Sequence, residues 1–372
     1  VPEVAKKPWL CGQAWGSLVL QADNRVKPCC RYAGSWEAGD GSANSAPFRQ
    51  LREEMLAGTV PAGCQKCLDE EKTGIQSKRQ RSGSLLPPAP VSARSSSVDY
   101  LEINLSSLCN LRCLMCSPDR SSGWNRDAAA AGYEAAVHND NDLEIIRHHL
   151  RGVKTISLLG GETFLGPRLD QILDLIMSET DPAGVELVLS TNLTLFPQAS
   201  VLDKLARFKE VDIGCSIDAV GERNNYIRFP SDWRQVEENF FRFRSWAEGR
   251  RNILLRLDAT ISAYSFGGLP ALLEWWKEAA PKKGKGPQFV CLNPVTTPEF
   301  QSVHALSREV RESVAAQIRS RPDLHFGNVK DSVAYSLHED RFDLRERLHG
   351  WTERIDRARG VSARLYAPEI YA

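Results

Sequence analysis

Three cysteines within eight residues, Cys109, Cys113 and Cys116, constrain this chain more than any other stretch. They follow Val98–Leu105, whose alternation predicts a buried strand, and so fall where the loops of α/β proteins carry chemistry. The spacing C-x3-C-x2-C converges three thiolates, which select zinc, copper(I) or an iron–sulfur cluster. A structural zinc site is closed by a fourth Cys or His in a recognisable pair, and no such pair follows nearby. Three ligands on a [4Fe–4S] cluster instead leave one iron open. The bland alternative is three unrelated core cysteines.

From residue 98 to 300 the chain repeats a strand-then-helix rhythm. Strands are predicted at 98–105, 153–159, 185–190, 211–217, 253–261 and 289–295, with helices between them such as 169–177 and 269–280. Six strands alternating with helices indicate a parallel sheet that right-handed crossovers curl toward a barrel. The second strand ends in Leu159-Gly160-Gly161-Glu162-Thr163, where glycines permit close backbone approach and a carboxylate can accept from an ammonium.

The cysteine spacing at the end of a first strand, with Gly-Gly-Glu at the end of the second, resembles the radical S-adenosylmethionine (SAM) superfamily. That resemblance implies a partial (β/α)6 TIM-like barrel, α/β in class. It also implies an open iron that binds the amino and carboxylate groups of SAM, and reductive cleavage of SAM to a 5′-deoxyadenosyl radical. Cys109, Cys113 and Cys116 become the catalytic cluster ligands, and Gly160, Gly161 and Glu162 the holders of the SAM amino group. Functional residues of such barrels gather at the C-terminal strand ends. Thr191 and Asn192 on strand three, Ser216 and Asp218 on strand four, Arg228 beyond it and Asn293 on strand six are therefore expected to line the SAM site. Small hydroxyls and a carboxylate suit the ribose and a guanidinium suits the carboxylate of SAM, although Asp218 also suits a helix N-cap. Met115 stands where the family's cluster loop meets adenine, a position that core packing explains as well. Cys215 and Cys291 lie on strands four and six, where alternation can turn a thiol into the barrel or leave it inert in the core.

The first 82 residues have a second cysteine pattern: Cys11, Cys29-Cys30, and Cys64-Gln65-Lys66-Cys67. Two short strands joined at Asp23-Asn24 would bring Cys11 and Cys29 together, with Asn24 supplying the left-handed residue of a tight turn. A helix ending near Pro61-Ala62-Gly63 would deliver Cys64 and Cys67 beside them. The spacing, with Pro28-Cys29-Cys30 and Gly63-Cys64-Gln65-Lys66-Cys67, resembles an N-terminal twitch module, a shortened SPASM-like domain holding an auxiliary [4Fe–4S] cluster. Cys11, Cys29, Cys64 and Cys67 are its implied ligands, with Cys29 chosen over Cys30 by the family's counting. A four-cysteine zinc site in a non-catalytic binding module is the rival reading.

Composition supports this division: 1–82 as the auxiliary module, 83–97 as a Ser/Pro-rich linker, 98–300 as the barrel and 301–372 as a helical extension. The stretch Lys78-Arg79-Gln80-Arg81 reads as a solvated helix end, and the helices over 307–319 and 344–360 as solvated, salt-bridging faces. Lys+Arg and Asp+Glu balance at 47 each, which gives no basic field for nucleic acid, and no run is long and apolar enough to span a membrane. Ten cysteines without a secretory leader read as cytoplasmic metal or redox chemistry. The substrate is expected to be a ribosomally made peptide, or alternatively a small molecule, sugar or modified nucleotide that is dehydrogenated or isomerised. Ten residues ahead of Cys11 are too few for a leader-recognition domain, so a peptide would need a separate recognition protein, or none. The family also implies an electron donor such as flavodoxin or ferredoxin.

Overall fold

The structure of the protein, a computed structural model, describes residues 9–37, 43–72, 76–82, 92–94, 97–281 and 289–372. Of the expected linker, 83–91, 95 and 96 lie outside the described residues. Among the described residues nine strands form one sheet: β1 (Ser17–Leu20), β2 (Arg25–Lys27), β3 (Trp36–Glu37), β4 (Tyr100–Asn104), β5 (Thr155–Leu159), β6 (Glu186–Thr191), β7 (Glu210–Ser216), β8 (Ile253–Ile261) and β9 (Val290–Pro294). Their order is β3-β2-β1-β4-β5-β6-β7-β8-β9, so the sheet does not close on itself. β4 through β9 pair in parallel throughout, the partial barrel that the strand–helix rhythm predicts.

Each strand's core face carries its β-branched and leucine side chains. Along β8, Ile253, Leu255, Leu257, Ala259 and Ile261 are buried, while Leu254, Arg256, Asp258 and Thr260 between them are partly open. Helices cover the apolar face. Arg168–Glu179 buries Leu169, Ile172, Leu173 and Ile176 at helical spacing, and Leu269–Ala279 starts with Pro at its first turn and buries Leu272, Leu273 and Trp276. Trp233–Ala247, capped by the Asp232 carboxylate, adds Val236, Phe240 and Phe243 to the same core.

The first segment is not set apart as its cysteine pattern suggests. β1 lies parallel to β4, with Ser17 opposite Tyr100 and Leu20 opposite Ile103, and it extends the barrel sheet at its edge. The β1–β2 hairpin turns at Asn24, whose φ of 63° is the left-handed conformation expected of it. Its side-chain oxygen accepts from Asp142 N at 2.8 Å, which ties the turn to the barrel. Behind this hairpin a satellite core of Leu10, Cys11, Ala14, Trp15, Leu51 and Met55 stands apart from the main one. The helix there, Ala46–Leu56, stops before Pro61; Cys64 ends a 3-10 turn and Cys67 lies in the first turn of the next helix, Gln65–Lys72. Proline and glycine at 61–63 thus mark a helix start, where the sequence reading put a helix end. Among the described residues no helix is long and apolar enough to cross a membrane.

Candidate active site

The cysteine loop after β4 is fastened on both sides through its backbone. Toward β5, Leu105 N donates to Leu159 O at 2.7 Å, Gly161 N to Ser106 O at 2.7 Å and Glu162 N to Leu108 O at 2.9 Å. A Cβ on Gly161 would fall 2.3 Å from Leu108 O and 2.8 Å from the Cys109 Cβ, so this glycine lets the cysteine loop itself approach, as well as any ligand. On the far side Arg112 N donates to Phe229 O at 2.6 Å and Leu114 N to Ile227 O at 2.8 Å. The Trp124 indole holds the Cys113 carbonyl at 2.9 Å, and the Gln301 amide holds that of Leu114 at 3.1 Å.

This loop places three thiols within electrostatic reach of one another. Burial pushes all three up, Cys116 to about 12; neighbouring thiols push Cys113 and Cys116 the same way, while Arg228 pulls Cys113 and Cys109 down. Without a metal they hold their protons, which a bound metal would have to displace. Among the described residues no three His, Cys, Asp or Glu side chains close on a single-ion site. A four-iron cluster is larger and is held at its corners, so its ligands stand wider apart. The donor set is all sulfur, as such a cluster requires.

Glu162 is 4% exposed. It accepts from Thr191 Oγ1 at 2.8 Å, Phe164 N at 3.1 Å and Asn192 N at 2.7 Å. Burial raises its pKa, and these donors together with Arg228 oppose the rise. Thr191 and Asn192, expected as SAM contacts, brace Glu162. The Asn192 side chain reaches Asn110 at 3.1 Å and the Cys109 sulfur at 4.0 Å, which joins strand three to the cysteine loop. Asp218 does not cap a helix: Oδ1 accepts from Thr260 N at 2.6 Å and Oδ2 pairs with Arg228 Nε at 2.8 Å. That fully buried carboxylate sets the position of Arg228 beside Cys113 and Cys116. Ser216 ends β7 half-buried, Met115 packs against the main core, and Asn293 is exposed with its oxygen facing the Cys291 thiol at 3.6 Å. Strand register separates the two remaining cysteines. Cys215 lies opposite Leu257 on the helix-covered face, whereas Cys291 lies opposite Asp258 on the inner face.

Cys11, Cys29, Cys64 and Cys67 line one cavity with Trp9, Tyr32, Met55 and Arg79. Cys30 is not among its walls; it is exposed, and Lys78 Nζ donates to its sulfur at 3.3 Å. Burial, then neighbouring thiols, push Cys29 and Cys64 up to about 12, and burial raises Cys11 and Cys67 too. The basic stretch after them is not a solvated helix end. Ser77 opens Lys78–Arg81 with a capping box; Arg79 faces the four-cysteine cavity and pairs with Glu71, while Lys78 pairs with the buried Glu102 of β4 at 3.7 Å. Lys78 also sits 5.1 Å from the Tyr100 ring centroid, and the charge of Arg81 is felt at Cys291. Four residues thus link the cavity to the inner face of the sheet.

Two features were not legible beforehand. A cleft of about 410 Å³ lies between the helix Gln65–Lys72 and the chain after β9, lined by Lys66, Asp69, Glu70, Thr296, Thr297, Glu299, Ser302, His304, Tyr335, Glu339, Arg341 and Leu344. One wall is next in sequence to Cys67 and the other to Gln301, which holds the cysteine loop. The second feature is Arg359, expected on a solvated helix face, whose side chain is 1% exposed and bonded to the cysteine loop. Only a charge in the last turn before Gly360 marks it in the sequence.

Residues 103–245 match the family model described as the Radical SAM superfamily. Curated relatives include the GTP 3′,8-cyclase of Sulfurovum sp. (strain NBC37-1), 30% identical over 130 residues, or 33% of this chain and 35% of that protein. The GTP 3′,8-cyclase of Synechococcus sp. (strain CC9902) is 34% identical over 116 residues, 30% of each. The chain thus matches about a third of the length of these relatives. Among solved structures, native anSMEcpe with bound AdoMet aligns with a TM-score of 0.43 at 16% identity, covering 59% of this chain and 60% of that one. Streptococcus suis SuiB bound to precursor peptide SuiA aligns with a TM-score of 0.42 at 17% identity, covering 72% and 62%. The superfamily uses SAM and a [4Fe–4S] cluster, and over residues 103–245 this chain carries a radical SAM domain.

Proposed function

We propose that the protein is a radical SAM oxidoreductase with two [4Fe–4S] sites, acting on a ribosomally made peptide. Cys109, Cys113 and Cys116 would hold the catalytic cluster, and Gly160, Gly161, Glu162, Ser216 and Arg228 would position SAM, with Met115, Thr191, Asn192, Asp218 and Asn293 around them. The carrying observation is that the cysteine loop and the Gly-Gly-Glu strand end dock through shared backbone hydrogen bonds, with the Arg228 guanidinium beside two of the thiols. When bound, SAM and the reduced cluster supply a primary carbon radical. The chain's own part is to orient and to exclude water. Glu162, fixed by three donors, offers a carboxylate to an ammonium, and Arg228, fixed by Asp218, offers a cation to a carboxylate.

The four-cysteine cavity supports a second, fully ligated cluster, whose ligands would be Cys11, Cys29, Cys64 and Cys67. A cluster with no open iron is suited to accepting an electron, as an oxidation needs. The cleft between the helix Gln65–Lys72 and the chain after β9 supports a peptide: it falls in the usual size range of ligand sites and mixes carboxylates, cations and hydroxyls suited to a polar chain. A leader-recognition protein and a flavodoxin- or ferredoxin-type donor would complete the system, in the cytoplasm where thiols stay reduced. A nucleotide substrate is the second reading, favoured by the sequence similarity to proteins named GTP 3′,8-cyclase. The deciding experiment gives reduced, cluster-loaded protein SAM with candidate peptides or with purine nucleotides. Stimulated 5′-deoxyadenosine release together with a two-hydrogen mass loss from a peptide is the expected result. Stimulation by nucleotides alone would favour the second reading.

A further inference from the structure

Arg359 ends the helix Arg345–Arg359, where a cation ordinarily sits in solvent against the helix dipole. Here it turns inward. Its Nε donates to Asp127 Oδ2 at 2.7 Å and its Nη2 to the Arg112 carbonyl at 2.6 Å. Its guanidinium lies 5.0 Å from the Trp124 ring centroid and 5.2 Å from that of Phe229. Asp127, itself 3% exposed, also accepts from Arg112 Nη1 at 2.6 Å. The Arg112 carbonyl leads into Cys113, and the Cys113 carbonyl is held by Trp124. Both peptide units around the middle cysteine are therefore fixed from this side.

The charge count is unbalanced. Two guanidiniums share one buried carboxylate, and Arg359 Nη1 is buried without a hydrogen-bond partner among the described residues. Buried cations are costly unless countered, and a donor left unmade inside a protein is costly as well. A cluster on three thiolates brings negative charge and sulfur acceptors to this place, and Arg359 is near enough to Cys113 for their charges to interact. Net charge and hydrogen bonds to sulfur are the levers that set cluster potentials.

We infer that Arg359 is a positioning residue of the catalytic cluster: it fixes the Arg112–Cys113 backbone from the C-terminal helix and holds a buried positive charge that raises the cluster's reduction potential. This rests on the reading of Cys109, Cys113 and Cys116 as cluster ligands. The full chain carrying Cys64→Ala is used, so that the three-cysteine site alone is observed, and the reduced signal is titrated by electron paramagnetic resonance. Its disappearance in Cys113→Ala tests the cluster reading itself. Given that signal, Arg359→Met should move the midpoint potential more negative, and Arg359→Lys should recover part of the shift. Asp127→Asn, which removes the counter-charge and keeps Arg359, should move it the opposite way. An unchanged midpoint in Arg359→Met at full iron content would overturn the inference. If Arg359→Met fails to hold iron, an unchanged or more negative midpoint in Asp127→Asn would overturn it instead.

Discussion

Replacing Gly161 by alanine should weaken the cysteine loop before any cofactor is considered. The added methyl would meet Leu108 O at 2.3 Å, the Leu108 carbonyl carbon at 2.6 Å and Cys109 Cβ at 2.8 Å. Two of these are backbone atoms, so relief requires moving the loop that carries Cys109 or the strand end that carries Glu162. Both are tied by the Glu162 N to Leu108 O bond of 2.9 Å, which the shift would stretch. Overpacking of this kind costs about 1–3 kcal/mol, and loss of one net hydrogen bond adds about 1 kcal/mol. Gly184→Ala is the control, because its methyl would meet nothing within 4 Å. Urea unfolding of the metal-free proteins compares the two, followed by iron retention after anaerobic loading. Gly161→Ala should unfold at lower urea and lose iron on gel filtration, while Gly184→Ala matches the parent. Equal stability and iron retention in both variants would refute the claim that the glycine serves the loop, and leave only a role toward ligand.

Glu162→Gln should reduce SAM affinity, since one charge-assisted hydrogen bond is worth roughly 1.5–3 kcal/mol, or about ten- to a hundredfold. Equilibrium binding checks this, and unaltered affinity counts against the carboxylate's assignment. Cys64→Ala or Cys67→Ala should keep 5′-deoxyadenosine formation yet lose product, assayed in one anaerobic reaction; normal product from protein lacking the second cluster would reduce that cluster to a structural staple. Asp258 is lifted by burial to about 6, with Arg256 opposing and Asp212 adding to the rise. Its unfolded value is about 3.9, so the native state holds the proton more tightly. Stability from this group is present at low pH and is lost as pH rises through 6, by at most about 3 kcal/mol. Urea midpoints between pH 4.5 and 6.5 should therefore fall less in Asp258→Asn than in the parent, and identical slopes would contradict the assignment.

Much of the barrel was legible because its determinants are local. β8 could be read end to end from the alternation of Ile253 through Ile261, and the Leu269–Ala279 helix from apolar residues at helical spacing below a first-turn proline. Asn24 announced its turn because few residues accept a left-handed backbone. What escaped depends on distant pairing. Nothing in Ser17–Leu20 says that its partner is Tyr100–Asn104, and so the first segment looked separate from the sheet it joins. Lys78 and Arg359 look like solvated helix-end cations, because charge patterning cannot show that Glu102 and Asp127 wait for them in the interior. Cys215 and Cys291 could be told apart only by register, since a shift of one residue exchanges the faces of a strand.

The proposal of two iron–sulfur sites in one chain is tested most directly by metal counting after anaerobic reconstitution. The parent should bind about eight irons with sulfide-to-iron absorbance, falling to about four in Cys113→Ala and likewise in Cys64→Ala, and to none when both are combined. One or two zincs per chain, without iron or visible absorbance, would contradict it and identify a zinc-stabilised scaffold.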